Sequence, residues 1–229
     1  MKTLIKELPE MEKICAEKVR QLLKEKPGSV LALTAGRTTE GLYALLGDMC
    51  RRGELSFREA KTFAVTEYVG GEEADSCRSI LKRQLIDHTD LPEGNFFVPR
   101  EQEPEKYDGL IEAAGGIDLC ILGIGINGHI GYNEPATAFD SLTHIQKLTD
   151  ATHRQYSGGE RHLTEYALTM GIKTIVSSRE IFLLASGPEK ADAVFKMIYG
   201  RTDSYIPAAF LQIPLEVTVC ADPAAAAKL

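Results

Sequence analysis

The residues best suited to chemistry sit in one stretch, positions 122–135, which reads L-G-I-G-I-N-G-H-I-G-Y-N-E-P. Gly123, Gly125, Gly128 and Gly131 fall within it, and glycines there let a backbone turn sharply and approach a ligand closely. Between and after them stand Asn127, His129, Asn133 and Glu134. An imidazole titrates near neutral pH, and a carboxylate nearby makes it one of a pair. His129 and Glu134 are therefore the first candidates for proton transfer.

Three strand–loop units, two of them followed by a helix, must position such a site. Residues 117–121 (I-D-L-C-I) have the apolar, β-branched character of a buried parallel strand, which delivers His129 to its carboxyl end, where open α/β sheets place ligands. Residues 30–33 predict a second strand, followed by T-A-G-R-T-T at 34–39 and a helix over 41–51. A loop of that kind, formed here by Ala35, Gly36, Arg37, Thr38 and Thr39, turns backbone N–H groups and a helix N-terminus toward an anion. The hydroxyls of Thr38 and Thr39 and the guanidinium of Arg37 add donors. By itself such a loop also serves simply as a helix cap. The third unit is a strand over 181–185, then S-G-P-E-K, with Lys190 in the first turn of a helix running to about residue 199. A lysine there opposes the helix dipole by a few tenths to ~1 kcal/mol, which a docked anion would offset. An exposed lysine is the plainer reading.

The remaining pattern supports this frame. Apolar positions at Met11, Ile14, Cys15, Val19, Leu22 and Leu23 predict a helix over 11–26. Further strands are expected at 61–66, 95–98, 143–148, 166–170 and 216–220, and helices at 75–87, 104–114 and 172–176. Residues 149–164 are polar, contain Ser157-Gly158-Gly159, and read as a mobile lid with His144, His153 and Arg154 in or beside it. Each of these histidines reads as a solvated or packed side chain. The tail after 222 reads as frayed. Strands alternate with helices, with no repeat and no linker, which predicts one α/β domain over 1–229, doubly wound around a mainly parallel sheet with helices on both faces.

Composition narrows the partners. The 229 residues are 44% hydrophobic and 26% charged with a formal net charge of −7, which suits a small anionic ligand in a local positive site better than nucleic acid. Five cysteines without C-x-x-C spacing predict free thiols in a reducing, cytoplasmic setting, and no metal. The N-terminal segment is too charged for a signal peptide, and no apolar run approaches the ~18 residues of a membrane span. Closed homo-oligomers are common enough to expect one.

The 122–135 stretch resembles the signature of the glucosamine-6-phosphate deaminase/isomerase family, L-G-x-G-x-D-G-H-I-A-F-N-E-P, whose members share a fold with 6-phosphogluconolactonases. Asn127, where that pattern has Asp, and Gly131 two residues after the histidine are more similar to the galactosamine-6-phosphate branch. The resemblance extends over roughly residues 30–222: loop 34–39 takes the place of T-G-G-T-P, with Ala35, Arg37 and Thr39 differing, 66–70 matches D-E-Y-V-G apart from Thr66, 187–190 matches G-x-x-K, and I-P-A-A-F-L at 206–211 matches a further segment. It implies a Rossmann-like fold, a sugar phosphate as substrate and no cofactor. It also implies conversion of a 2-amino-2-deoxyhexose 6-phosphate to a ketose 6-phosphate and ammonia. His129 would open the sugar ring, with Glu134 orienting it or tuning its proton affinity. Lys190, Gly125 and the 34–39 loop would hold the substrate.

Two departures bear on the chemistry. Asn127 replaces an Asp implied to pair with the histidine. Thr66 replaces the Asp implied to move a proton between C2 and C1, and a hydroxyl is no base near neutral pH. Either Glu67, Glu134, a group on the substrate or water takes over, or turnover falls by the ~10²–10⁴-fold that a positioned base contributes. Three readings follow: an amino-sugar-phosphate deaminase/isomerase, a non-catalytic phosphosugar-binding protein, or another sugar-phosphate reaction such as lactone hydrolysis.

Overall fold

The computed structural model describes residues 1–70, 72–156 and 164–229. In chain order the first half comprises β1 (Lys2–Ile5), α1 (Leu8–Glu25), β2 (Val30–Leu33), α2 (Glu40–Arg51), β3 (Lys61–Ala64), β4 (Thr66–Tyr68), α3 (Cys77–Gln84), β5 (Phe96–Phe97), α4 (Pro104–Ala113) and β6 (Leu119–Gly123). The second half comprises β7 (His144–Lys147), α5 (Asp150–Tyr156), β8 (Tyr166–Thr169), α6 (Ile172–Val176), β9 (Glu180–Ala185), α7 (Ala191–Tyr199) and β10 (Val217–Ala221).

Seven strands form one sheet in the order β1-β10-β9-β6-β2-β3-β5, and every pairing in it is parallel. Alternation along the strands divides the core. Val30, Ala32, Cys120 and Leu122 face a layer with Tyr107 and Ile111 of α4 and Val194 and Met197 of α7. Leu31, Leu33, Leu119 and Ile121 face the other, with Met11, Cys15 and Val19 of α1 and Leu42 and Leu46 of α2. Burial on both faces explains why these strands read as unbroken apolar runs. From β2 the order runs outward through β3; from β6 it runs the other way through β9. The loops after β2 and β6 therefore part at a topological switch point, which opens a crevice at the strand ends.

The structure corrects several expectations. The strand anticipated over 61–66 stops at Ala64. The Val65 N–H bonds Leu33 O, its carbonyl accepts from the Met170 N–H, and the chain crosses into a second, antiparallel sheet of order β4-β8-β7. Thr66 thus pairs with Thr169 in that small sheet. The helix anticipated over 75–87 is only α3, capped by Ser76, whose hydroxyl accepts the Ser79 N–H at 3.0 Å. The expected lid begins as helix α5, and residues 157–163 lie outside the described residues. Edge strand β1 was not anticipated. The tail is docked rather than frayed: Asp222 accepts the Ala225 N–H at 2.7 Å, and Ala225 is fully buried. The five cysteines are free thiols, and all but Cys50 are buried.

Candidate active site

A cleft of about 340 Å³ opens where the loops after β2, β6 and β9 meet. The β2–α2 loop supplies one wall through Ala35, Gly36, Arg37, Thr38 and Thr39. Tyr43 OH holds it from behind by donating to Thr34 O at 2.8 Å, and Thr34 Oγ1 donates to Ile121 O at 2.9 Å. Among the described residues no acceptor takes the N–H groups of Gly36 through Thr39, so they remain for an anion. Thr39 does not donate as expected. It is buried, and its hydroxyl is directed at the carbonyls of Thr34 and Gly36, 3.1 and 3.2 Å away.

The turn after β9 brings in Lys190. Asp222, at the end of β10, fixes that turn by accepting Ser186 Oγ at 2.6 Å and the Gly187 N–H at 2.9 Å. Lys190 ends a short 3-10 turn ahead of α7 and is only 6% exposed. Its ammonium has no ion-pair or hydrogen-bond partner among the described residues. Burial, with Arg37 acting in the same direction and Glu189 against it, pulls its pKa down to about 8. A buried cation without a partner, facing a wall of free N–H groups, is a site waiting for negative charge.

The imidazole of His129 lies on the same cleft. It rests flat over Gly125: a β-carbon at that position would fall 2.4 Å from ring atoms. The Gly125 N–H bonds His129 O at 2.9 Å, and Gly128, at φ +82°, turns the loop. Segment 206–211 packs beneath, with the Ala208 N–H on Gly128 O at 2.8 Å. Asn133 staples the loop to the small sheet, donating to Ile130 O at 2.9 Å and Met170 O at 2.8 Å.

Behind the imidazole lies Glu134, 1% exposed. Its Oε1 accepts the Thr149 N–H at 3.1 Å and the Thr152 hydroxyl at 2.5 Å; its Oε2 accepts Asn127 Nδ2 at 2.6 Å. Burial alone would raise its pKa, but the His129 ring and these donors outweigh burial and hold it at about 2. Asn127 does not pair with the imidazole ring. Its Oδ1 takes the His129 backbone N–H at 3.2 Å and its amide nitrogen serves Glu134. An aspartate could not donate that second bond.

The structure brings His129, Gly125, Lys190 and the 35–39 loop onto the cleft, with Asn127 and Glu134 in support. It does not bring Thr66 or Glu67 to the cleft wall. Thr66 is buried, its Oγ1 3.4 Å from Cys77 Sγ. Glu67 is turned to the start of α3, where its carboxylate accepts the N–H groups of Cys77 at 2.8 Å and Arg78 at 3.0 Å. His144 bonds Leu142 O at 2.8 Å, away from the cleft. Thr149, Thr152 and Asp222 were not singled out from the sequence. Their available signals were an i, i+3 threonine pair opening a helix and a carboxylate just past the last buried strand.

Residues 6–219 match the family described as glucosamine-6-phosphate isomerases/6-phosphogluconolactonase. The chain is 39% identical to a glucosamine-6-phosphate deaminase of Halalkalibacterium halodurans, covering 98% of this chain and 96% of that one. It is 40% identical to a glucosamine-6-phosphate deaminase of Hahella chejuensis, covering 100% and 92% respectively. A solved structure of a monomeric glucosamine-6-phosphate deaminase superposes with a TM-score of 0.94 at 36% identity over the whole of both chains. A 6-phosphogluconolactonase from Trypanosoma cruzi shares the fold, with a TM-score of 0.79 at 17% identity, over 100% of this chain and 96% of that one. Among the described residues no helix is long and apolar enough to cross a membrane. The chain belongs to the glucosamine-6-phosphate isomerase/6-phosphogluconolactonase family.

Proposed function

We propose that this protein is an amino-sugar-6-phosphate deaminase/isomerase, with galactosamine 6-phosphate preferred over its glucosamine epimer. The observation that carries the reading is the pairing, across one cleft, of the buried unpartnered ammonium of Lys190 with an imidazole backed by the ionised Glu134. The phosphate docks on Lys190 and the N–H groups of 36–39, far from the reacting carbons, so its binding energy positions the sugar. His129 Nε2 exchanges the proton that opens the ring. A proton then passes from C2 to C1, leaving a ketimine at C2, and water adds to that carbon as ammonia departs.

Glu67 and Glu134 are poor choices for the base at C2, because backbone amides and buried donors already occupy their oxygens. His129 is the imidazole on the cleft wall and serves both proton transfers in this reading. The similarity to glucosamine-6-phosphate deaminases supports the reaction class. A second reading, a phosphosugar-binding protein with little turnover, is favoured by the placement of Thr66 against Cys77.

The test is ammonia release from galactosamine and glucosamine 6-phosphates by wild type and Thr66→Asp. Release by the wild type supports the first reading. No release from either sugar, with both ligands raising the melting temperature, supports the second. A large gain in Thr66→Asp shows that the natural chain lacks a base at that position.

A further inference from the structure

We infer that Thr152 is a positioning residue that sets which nitrogen of His129 carries the proton, and so leaves Nε2 bare toward the cleft. This rests on the reading of His129 as the proton-transfer group. Thr152 stands in α5 and is fully buried. Its hydroxyl lies 2.5 Å from Glu134 Oε1 and 3.1 Å from His129 Nδ1. The direct approach of Nδ1 to Glu134 is 3.6 Å, beyond a hydrogen bond. The carboxylate therefore reaches the ring through the hydroxyl.

The donor inventory fixes the direction. Glu134 is ionised and can only accept, so the single hydroxyl proton of Thr152 points at Oε1. The oxygen then presents a lone pair to Nδ1, which must be N–H. A neutral ring with its proton on Nδ1 has an unprotonated Nε2. Nε2 has no partner among the described residues, and the ring lines the cleft. Glu134 cannot readily turn to replace the hydroxyl, because Asn127 and the Thr149 N–H hold its two oxygens. Thr152 thus relays the carboxylate's charge to the ring.

The test is nitrogen NMR of the His129 ring in its neutral form, which reads the tautomer without reference to turnover. The expected wild-type result is a proton on Nδ1 and a bare Nε2, and a wild-type ring protonated on Nε2 overturns the inference without any variant. Thr152→Val, of nearly the same shape, is expected to lose the preference for Nδ1–H, and Thr152→Ser to restore it. An unchanged tautomer in Thr152→Val also overturns it. In ammonia release, Thr152→Val should lower kcat by about 10–100-fold, the range seen on removing the partner that orients a metal-bound imidazole, with KM nearly unchanged. A loss confined to KM counts against the inference. If the tautomer shifts as described while wild type releases no ammonia, Thr152 keeps this role and the proposed reaction fails.

Discussion

Replacing Lys190 by methionine should make the ligand-free protein more stable and a worse binder. The side chains are similar in length, so packing is largely kept. The fold holds an ammonium that loses its proton at about 8, against 10.5 for a free lysine. At pH 7, below both values, that difference amounts to about 3 kcal/mol of destabilisation. The unfolded chain binds the proton more tightly, so wild-type stability should rise as pH climbs from about 8 toward 10.5, and the advantage of Lys190→Met should fade over the same window. In a domain of this size such a difference moves the melting temperature by several degrees, at about 2–4 °C per kcal/mol. Binding moves the other way. Losing a charge-assisted bond costs about 1.5–3 kcal/mol, or roughly 10–150-fold in affinity for inorganic phosphate by calorimetry. Phosphate affinity of the wild type should itself weaken above pH 8 as Lys190 deprotonates, and that slope should vanish in the variant. A lower melting temperature at pH 7, or unchanged phosphate affinity, would refute the placement of an unpaired ammonium on the cleft.

Two further substitutions probe the opposite wall. Gly125→Ala puts a β-carbon 2.4 Å from the His129 ring, so the ring must shift, and a displacement near 1 Å is expected to cost about 100-fold in kcat with phosphate affinity retained; wild-type turnover would count against the ring's assigned seat. Asn127→Asp replaces a 2.6 Å donor to Glu134 by a like charge, so urea titration should show a loss of about 1–3 kcal/mol at neutral pH. That loss should shrink as pH falls and one carboxylate takes a proton; equal stability at all pH values would show that the amide is not Glu134's donor.

The frame of the site was legible because β2, β6 and β9 are buried on both faces, and burial writes itself as an apolar run that stops at Thr34, Gly123 and Ser186 respectively. The glycines at 125 and 128 gave away a backbone built for close approach. What lay hidden depended on tertiary pairing. T-E-Y at 66–68 is too short to show a period, and only its partner Tyr166–Thr169 makes it a strand. The same pairing takes Thr66 away from the cleft, although its motif position suggested the opposite. Glu67 read as a spare base because its engagement is with N–H groups ten and eleven residues on, across a turn that side-chain types do not encode. Thr152 lay in a polar run read as a loop, and its role appears only once α5 packs its hydroxyl between two groups from another part of the chain.

The cation wall and the imidazole wall are held by separate bonds. Asp222 and Tyr43 secure the first, while Asn127, Thr149 and Thr152 secure the second. Capture and conversion can therefore drift apart under mutation. A descendant of this chain could abandon its reaction and keep a receptor for the same sugar phosphate, with no repair needed in the half that does the gripping.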